Sequence, residues 1–196
     1  MTKQIIFVTG KETKVRHANE ALFGTDFELV AQKLDIIEPR AEDPKDVVIE
    51  KALQAIKLVN KPLIVEDSGI FIDCLNGFPK TFVHFAEETI GVKNIVKIME
   101  GVENRNAEFR QSLAYIEPNM TKPIIFSYVD GNFTVADKVW EPEFGETGDF
   151  DKILIPQGED KPLCMFDKVW RAKRDVEANK ETIHYRQLAK WLSERN

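Results

Sequence analysis

Apolar positions in this chain fall into short runs and helical stripes, punctuated by Gly and Pro. Gln4 to Val8 is a β-rich run ending at Thr9-Gly10, and from Glu12 the spacing turns helical, with Val15, Ala18 and Leu22 on one face before Gly24. Phe27 to Gln32 reads as a second strand. Lys33 to Arg40 is a loop whose apolar residues are interrupted by Asp35 and Glu38, with Glu38 held extended before Pro39. Asp43 as N-cap and Pro44 at the first helical position start a helix lined by Val48, Ala52, Ala55, Ile56 and Val59. Leu63, Ile64 and Val65 then run into Glu66 and Asp67, Ser68-Gly69 breaks the run, and Ile70 restarts it. This predicts a buried strand presenting two carboxylates at its far end, with a backbone turn at Gly69. Neighbouring residues on a strand point to opposite faces, so at most one of the two carboxylates aims to the core side.

Beyond Pro79 a helical stretch reaches Met99 and Gly101, with Ile95, Ile98, Met99 and Val102 as its buried stripe. Ala107 to Tyr115 reads as a half-buried strand with Phe109, Leu113 and Tyr115 on one face. Pro123 to Val129 and Phe133 to Val139 flank Asp130-Gly131-Asn132, a hairpin signal. Gly145 to Asp151 is a loop and Lys152 to Ile155 a short strand. A last helix over Lys180 to Glu194 puts His184, Leu188, Trp191 and Leu192 on one face. The order is βαβαβ, then αβ-hairpin-βα, which is an α/β fold with a mixed sheet.

A chain of 196 residues holds one domain, whole or split into two lobes. Its net charge of -6 argues against a general nucleic-acid or anionic-membrane binder, since those rest on a basic surface. The two cysteines, Cys74 and Cys164, sit in no zinc-binding pattern and fit a reduced, cytoplasmic setting. No charged-then-apolar leader opens the chain, and no stretch approaches the roughly 20 apolar residues of a membrane span.

Candidate chemistry begins at the Thr9-Gly10 turn, where backbone N–H groups and the start of a helix suit phosphate oxygens and Lys11 and Lys14 add positive charge. Both lysines also read as solvated helix residues. Glu66 and Asp67 either cap or pair with neighbouring groups, or hold a Mg²⁺ that also engages substrate phosphates. Asp73 reads more simply as a cap or a turn residue. Lys168 to Arg174, continued by Lys180, is the densest basic stretch, usually a solvated face and otherwise a source of phosphate contacts. His184 shares a helical face with Leu188 and Trp191 and is by default a core histidine. His17 and His84 have nothing around them to single them out.

Several stretches together resemble the family of inosine and xanthosine triphosphate pyrophosphatases. Phe7-Val8-Thr9-Gly10 with Lys14 resembles that family's phosphate-gripping start, and Val30 to Asp35 through Glu38 resembles the stretch holding a metal-binding Glu. Val65-Glu66-Asp67-Ser68-Gly69 through Leu75-Asn76-Gly77-Phe78-Pro79 resembles its most recognisable motif. Ala107 and Phe109 are similar to its Ala-x-Phe strand, and Pro156-Gln157-Gly158 to its Pro-x-Gly turn. The resemblance implies one domain over 1–196, with an elongated, twisted mixed β-sheet, flanking helices and two lobes with a cleft between them. It also implies a cytoplasmic homodimer that uses Mg²⁺ to hydrolyse ITP, dITP and XTP to monophosphate and pyrophosphate, clearing them from the nucleotide pool.

By the same resemblance Glu38 and Asp67 hold the metal; Asp67 is read as catalytic, and Glu66, beside it in the sequence, as a second, weaker candidate for a ligand or a water-orienting base. Thr9, Gly10, Lys14, Ser68, Phe150, Asp151, His184 and Arg186 make up the substrate contacts. A triphosphate brings about four negative charges, which metal and cations must spread while a water lines up opposite the leaving pyrophosphate. The departures from the family pattern are Lys11 in place of Asn, and Lys80-Thr81 after Pro79. Lys152 replaces Pro, and Ile183-His184-Tyr185 stands where the family has Ser-His-Arg, with Arg186 one place late. A rival reading is a relative that binds nucleotides without turnover, or with altered base preference.

Overall fold

The computed structural model describes residues 2–178 and 183–195. Strands β1 (Lys3–Val8), β2 (Phe27–Gln32), β3 (Leu63–Ile72), β4 (Pro79–Lys80), β5 (Asn106–Ile116), β6 (Ile124–Val135) and β7 (Leu154–Pro156) form one mixed sheet ordered β2-β1-β3-β5-β6-β7, with β4 paired to β3. The pairs β1/β2 and β1/β3 are parallel, and β3/β4 and β6/β7 are antiparallel. Helices are α1 (Glu12–Ala21), α2 (Pro44–Val59), α3 (Val83–Thr89), α4 (Val92–Ile98), α5 (Lys168–Ala178) and α6 (His184–Glu194). The α/β class and mixed sheet read from the sequence are the observed ones. The chain divides into two compact units, the first bounded by Met1–Ser68, Gln111–Tyr128 and Glu181–Asn196, the second by Gly69–Arg110 and Val129–Lys180.

The first unit has a core on each face of its sheet. One face of the strands carries Ile5, Phe7, Ile64, Leu113 and Tyr115 against Ala18, Leu22, Leu188 and Leu192 of α1, its C-cap and α6. The other carries Ile6, Leu63, Val65, Ala114 and Ile116 against Val48, Ala52 and Ala55 of α2. Residues 113–116 are therefore buried on both faces, whereas a half-buried strand was expected there; alternation cannot show in a strand covered by helices on both sides. Helix α2 starts as its sequence dictates, with Asp43 Oδ1 accepting from Lys45 N at 2.9 Å and Pro44 in the first turn.

The second unit packs Ile70 and Ile72 of β3 with Ile95, Val96 and Met99, and with Phe133, Val135, Phe150 and Ile153. Three sequence expectations change here. Gly69 makes no turn: β3 runs unbroken through it, and a Cβ there would lie 2.5 Å from the carbonyl oxygen of Lys80, so Gly is needed for close approach of the β4 backbone. Asp130-Gly131-Asn132 makes no hairpin, because β6 continues straight through and Gly131 lacks the positive φ that a tight turn uses. The helical stretch is two helices broken at Gly91, whose φ is 72°, and Ile98 of the expected stripe is exposed. Helix α5 was foreseen only as a basic run, and the start of the last helix expected at Lys180 lies outside the described residues.

Candidate active site

Within the first unit, Glu66 and Asp67 leave β3 on opposite faces, as strand geometry requires, and each meets its own set of partners. Asp67 turns toward α2. There Lys51 Nζ lies 2.9 Å from Glu38 Oε1 and 3.4 Å from Asp67 Oδ1, so one ammonium joins a loop carboxylate to a strand carboxylate. Glu38 is placed there by Gln54, whose side chain accepts from Ile37 N at 3.0 Å and donates to Ile37 O at 3.1 Å. Lys51 and Gln54 sit three apart on α2, and neither was singled out in the sequence; their helical spacing beside the loop was the available signal. Burial pushes the Asp67 carboxyl up to about 6, with Lys51 opposing the rise and Glu38 adding to it.

Glu66 turns toward α1 and α6. Its Oε1 is 3.4 Å from Lys14 Nζ and 3.8 Å from His184 Nε2, and its Oε2 accepts a short hydrogen bond from the Tyr185 hydroxyl. The carboxylate is 7% exposed and Lys14 27%. Burial, then the Glu66 charge, pushes the Tyr185 phenol far above its ordinary value. Burial also holds His184 down at about 4, so its imidazole is neutral at pH 7. Among the described residues neither ring nitrogen of His184 has a hydrogen-bond partner, although the residue is 1% exposed. His184 is thus a core histidine, but not a satisfied one. Tyr185, read from the sequence only as the loss of a guanidinium, is instead the anchor of Glu66 and packs edge-on to Phe7 at 6.3 Å.

The other expected contacts are distributed as follows. Thr9 Oγ1 accepts from Lys11 N at 3.1 Å, shaping the turn before α1, and Gly10 and Ser68 are exposed. Arg186 Nη1 donates to Ala21 O at 3.1 Å, at the last turn of α1, while Lys14 is in its first turn. Phe150 and Asp151 belong to the second unit. Phe150, expected to stack on a base, is 2% exposed in that unit's core, so its ring faces are covered by protein. Asp151 Oδ2 accepts from Arg171 Nη1 at 2.7 Å and from Thr147 Oγ1. Arg174 forks onto both oxygens of Asp130 at 2.9 and 3.1 Å. Two arginines of the basic run are therefore structural, which a solvated face did not anticipate; Lys180 lies outside the described residues. Asp73 lines a polar pocket of about 250 Å³ in the second unit, with Asn106, Glu108, Thr134 and Gln157.

Among the described residues no three or more His, Cys, Asp or Glu side chains gather as a metal cage. The pair Glu38 and Asp67 nevertheless fits Mg²⁺, which takes one or two carboxylates and completes its shell with water and substrate phosphates. Both carboxylates already face one cation, Lys51, and burial, with the Glu38 charge adding to it, pushes the Asp67 carboxyl up.

Fold and site together define an α/β protein in which acidic and basic groups converge where β1 and β2 end and beside the middle of β3, since that strand runs on to Ile72 and its two carboxylates are not at its far end as expected. The chain belongs to the Ham1 family, whose model matches residues 5–176. It is 34% identical over 162 residues to a dITP/XTP pyrophosphatase of Methanopyrus kandleri, covering 82% of this chain and 83% of that one. It is 35% identical over 163 residues to a dITP/XTP pyrophosphatase of Pyrococcus horikoshii, covering 82% and 83%. Among solved structures, a HAM1 protein from Coxiella burnetii superposes with a TM-score of 0.80 at 21% identity, covering 99% of this chain and 100% of that one, which shows the shared fold.

Proposed function

We propose that this protein is a metal-dependent nucleoside triphosphate pyrophosphatase that cleaves dITP, XTP and ITP between the α- and β-phosphates, giving the monophosphate and pyrophosphate. The observation that carries this reading is the convergence of Glu38 and Asp67 on a single cation, Lys51 Nζ, although they come from a loop and a strand 29 positions apart. Family membership and the two related pyrophosphatases support the substrate class.

In this reading Glu38 and Asp67 hold Mg²⁺, which when bound supplies positive charge against the phosphate oxygens. Asp67 is also the group that takes a proton from the attacking water. Lys14 binds the phosphate tail, helped by backbone N–H groups of the Thr9-Gly10 turn. Lys51 keeps the two carboxylates together before substrate arrives. Glu66, with both oxygens engaged, holds Lys14 and does not activate water. Arg186 is free to read a base only if its present contact to Ala21 O rearranges, and Asp151 of the second unit is engaged by Arg171, so discrimination between inosine and adenosine triphosphates is modest. A homodimer is part of this reading, and the exposed Phe85 and Ile98 of the second unit give it apolar surface to bury.

The deciding experiment is a pyrophosphate-release assay over a panel of nucleoside triphosphates with and without Mg²⁺. Release from dITP and XTP that stops on chelation is expected. Binding of these nucleotides without release identifies a non-catalytic relative instead.

A further inference from the structure

Lys14 Nζ and His184 Nε2 face the same oxygen of Glu66, at 3.4 and 3.8 Å, while the other oxygen is held by the Tyr185 hydroxyl. The ammonium is within ion-pair reach. The imidazole stops short of a hydrogen bond, leaving both of its nitrogens without a partner among the described residues, although the side chain is buried. Buried polar groups with no partner are rare in native proteins, and one that persists calls for an explanation. Here the missing partner is in place but occupied: the oxygen nearest to His184 is the one that Lys14 uses.

We propose that Glu66 is an exchange point, on which Lys14 is parked until a triphosphate draws it away and from which His184 then accepts no charge but gains a hydrogen bond. On exchange, His184 Nε2–H donates to Glu66 Oε1 in place of the ammonium. Tyr185 keeps Oε2 fixed throughout, so the carboxylate neither follows Lys14 nor is left with a bare buried oxygen. Tyr185 and His184 are then positioning residues for Lys14. The exchange lowers the penalty for pulling Lys14 off a nearly buried carboxylate, since an unpaired buried charge is far costlier than a re-paired one. The neutral state of His184 agrees with this, because a neutral imidazole can donate one N–H without adding charge beside Lys14.

The inference rests on the proposed role of Lys14 as a phosphate ligand, and its test separates the two. The chain has three histidines, so the ring nitrogens of His184 can be followed by NMR against those of His17 and His84. In unliganded Lys14→Ala, with no nucleotide involved, the His184 Nε2–H resonance is expected to appear at the downfield position of a proton bonded to carboxylate. In the parent, a non-hydrolysable α,β-imido triphosphate should produce the same shift, with its binding measured separately by calorimetry. An unchanged His184 in Lys14→Ala, or in a parent shown to have bound the analogue, overturns the exchange. A shift in Lys14→Ala together with an analogue that does not bind overturns the triphosphate reading, and with it the trigger, while the competition for Glu66 stands.

Tyr185→Phe supplies a kinetic readout. With Oε2 released, Glu66 can fork onto Lys14 and hold it back from phosphate. KM should then rise about tenfold, the equivalent of one charge-assisted hydrogen bond, with kcat nearly unchanged. A purely structural tyrosine would lower kcat through loss of folded enzyme and leave KM alone, which is the contrary result.

Discussion

Lys51 holds its ammonium 3.4 Å from Asp67, and still burial wins, leaving the Asp67 carboxyl at about 6. A carboxyl whose folded value lies above its unfolded value of 3.8 makes the folded state the better proton binder. Its contribution to stability is fully present below about pH 4 and is lost as pH rises through about 6. Asp67→Asn should therefore stabilise the protein at pH 7.5 by about 1–3 kcal/mol, with the gain vanishing near pH 4. Turnover should fall by roughly 100-fold or more as the base and a metal ligand are lost. Thermal melts at both pH values, with and without Mg²⁺, check it. A destabilised variant at pH 7.5 contradicts the account.

Removing the same ammonium tests the opposite direction. In Lys51→Met the attraction that opposes burial is gone, so the Asp67 carboxyl moves further up, by roughly one unit on the usual scale of such neighbours. The acid limb of the pH profile of kcat/KM should move to higher pH by that amount. Measuring the profile in the parent and the variant decides it, since a limb that stays in place assigns that titration to another group.

Lys14→Ala should raise KM for triphosphates by roughly 10- to 100-fold, the range of a charge-assisted hydrogen bond to phosphate. Melting temperature should change little, because Lys14 is part-exposed and Glu66 keeps Tyr185. Steady-state kinetics beside a thermal melt separates the two effects.

Arg174 stands over the ring of Phe133 at 4.6 Å while it forks onto Asp130, and both charged side chains are largely buried. Arg174→Ala leaves a buried carboxylate without its fork and should cost about 3–5 kcal/mol. Arg174→Lys should restore only part of that, since a point charge cannot make two parallel bonds. Replacing both partners, as Asp130→Asn with Arg174→Met, should recover more than half of the loss. Urea denaturation of the three variants provides the comparison.

The sequence by itself determined the alternation of β1, α1, β2, α2 and β3, because each of those segments carries its own signal. Val15, Ala18 and Leu22 fall at helical spacing, Asp43-Pro44 caps a helix, and Leu63 to Val65 forms an apolar run ending in two acids. It also determined that Glu66 and Asp67 point apart, since strand geometry leaves them no choice. Tertiary structure decided the rest, for reasons that local signals do not contain. Gly69 and Gly131 look like turns in isolation, and they lie inside strands because β4 passes close to one and the β6 ladder carries the other through. Phe150 reads as a stacking ring and is a core residue, because an aromatic side chain serves either purpose and only its surroundings choose. Lys51 and Tyr185 act on carboxylates 16 and 119 positions away; the spacing of Lys51 and Gln54 marks a shared helix face but not the carboxylates that face meets, and nothing within a few residues of Tyr185 points to Glu66. Their roles come from helices packed on opposite faces of the strand that carries Glu66 and Asp67, an arrangement fixed by the two cores of the first unit and by no single stretch of chain.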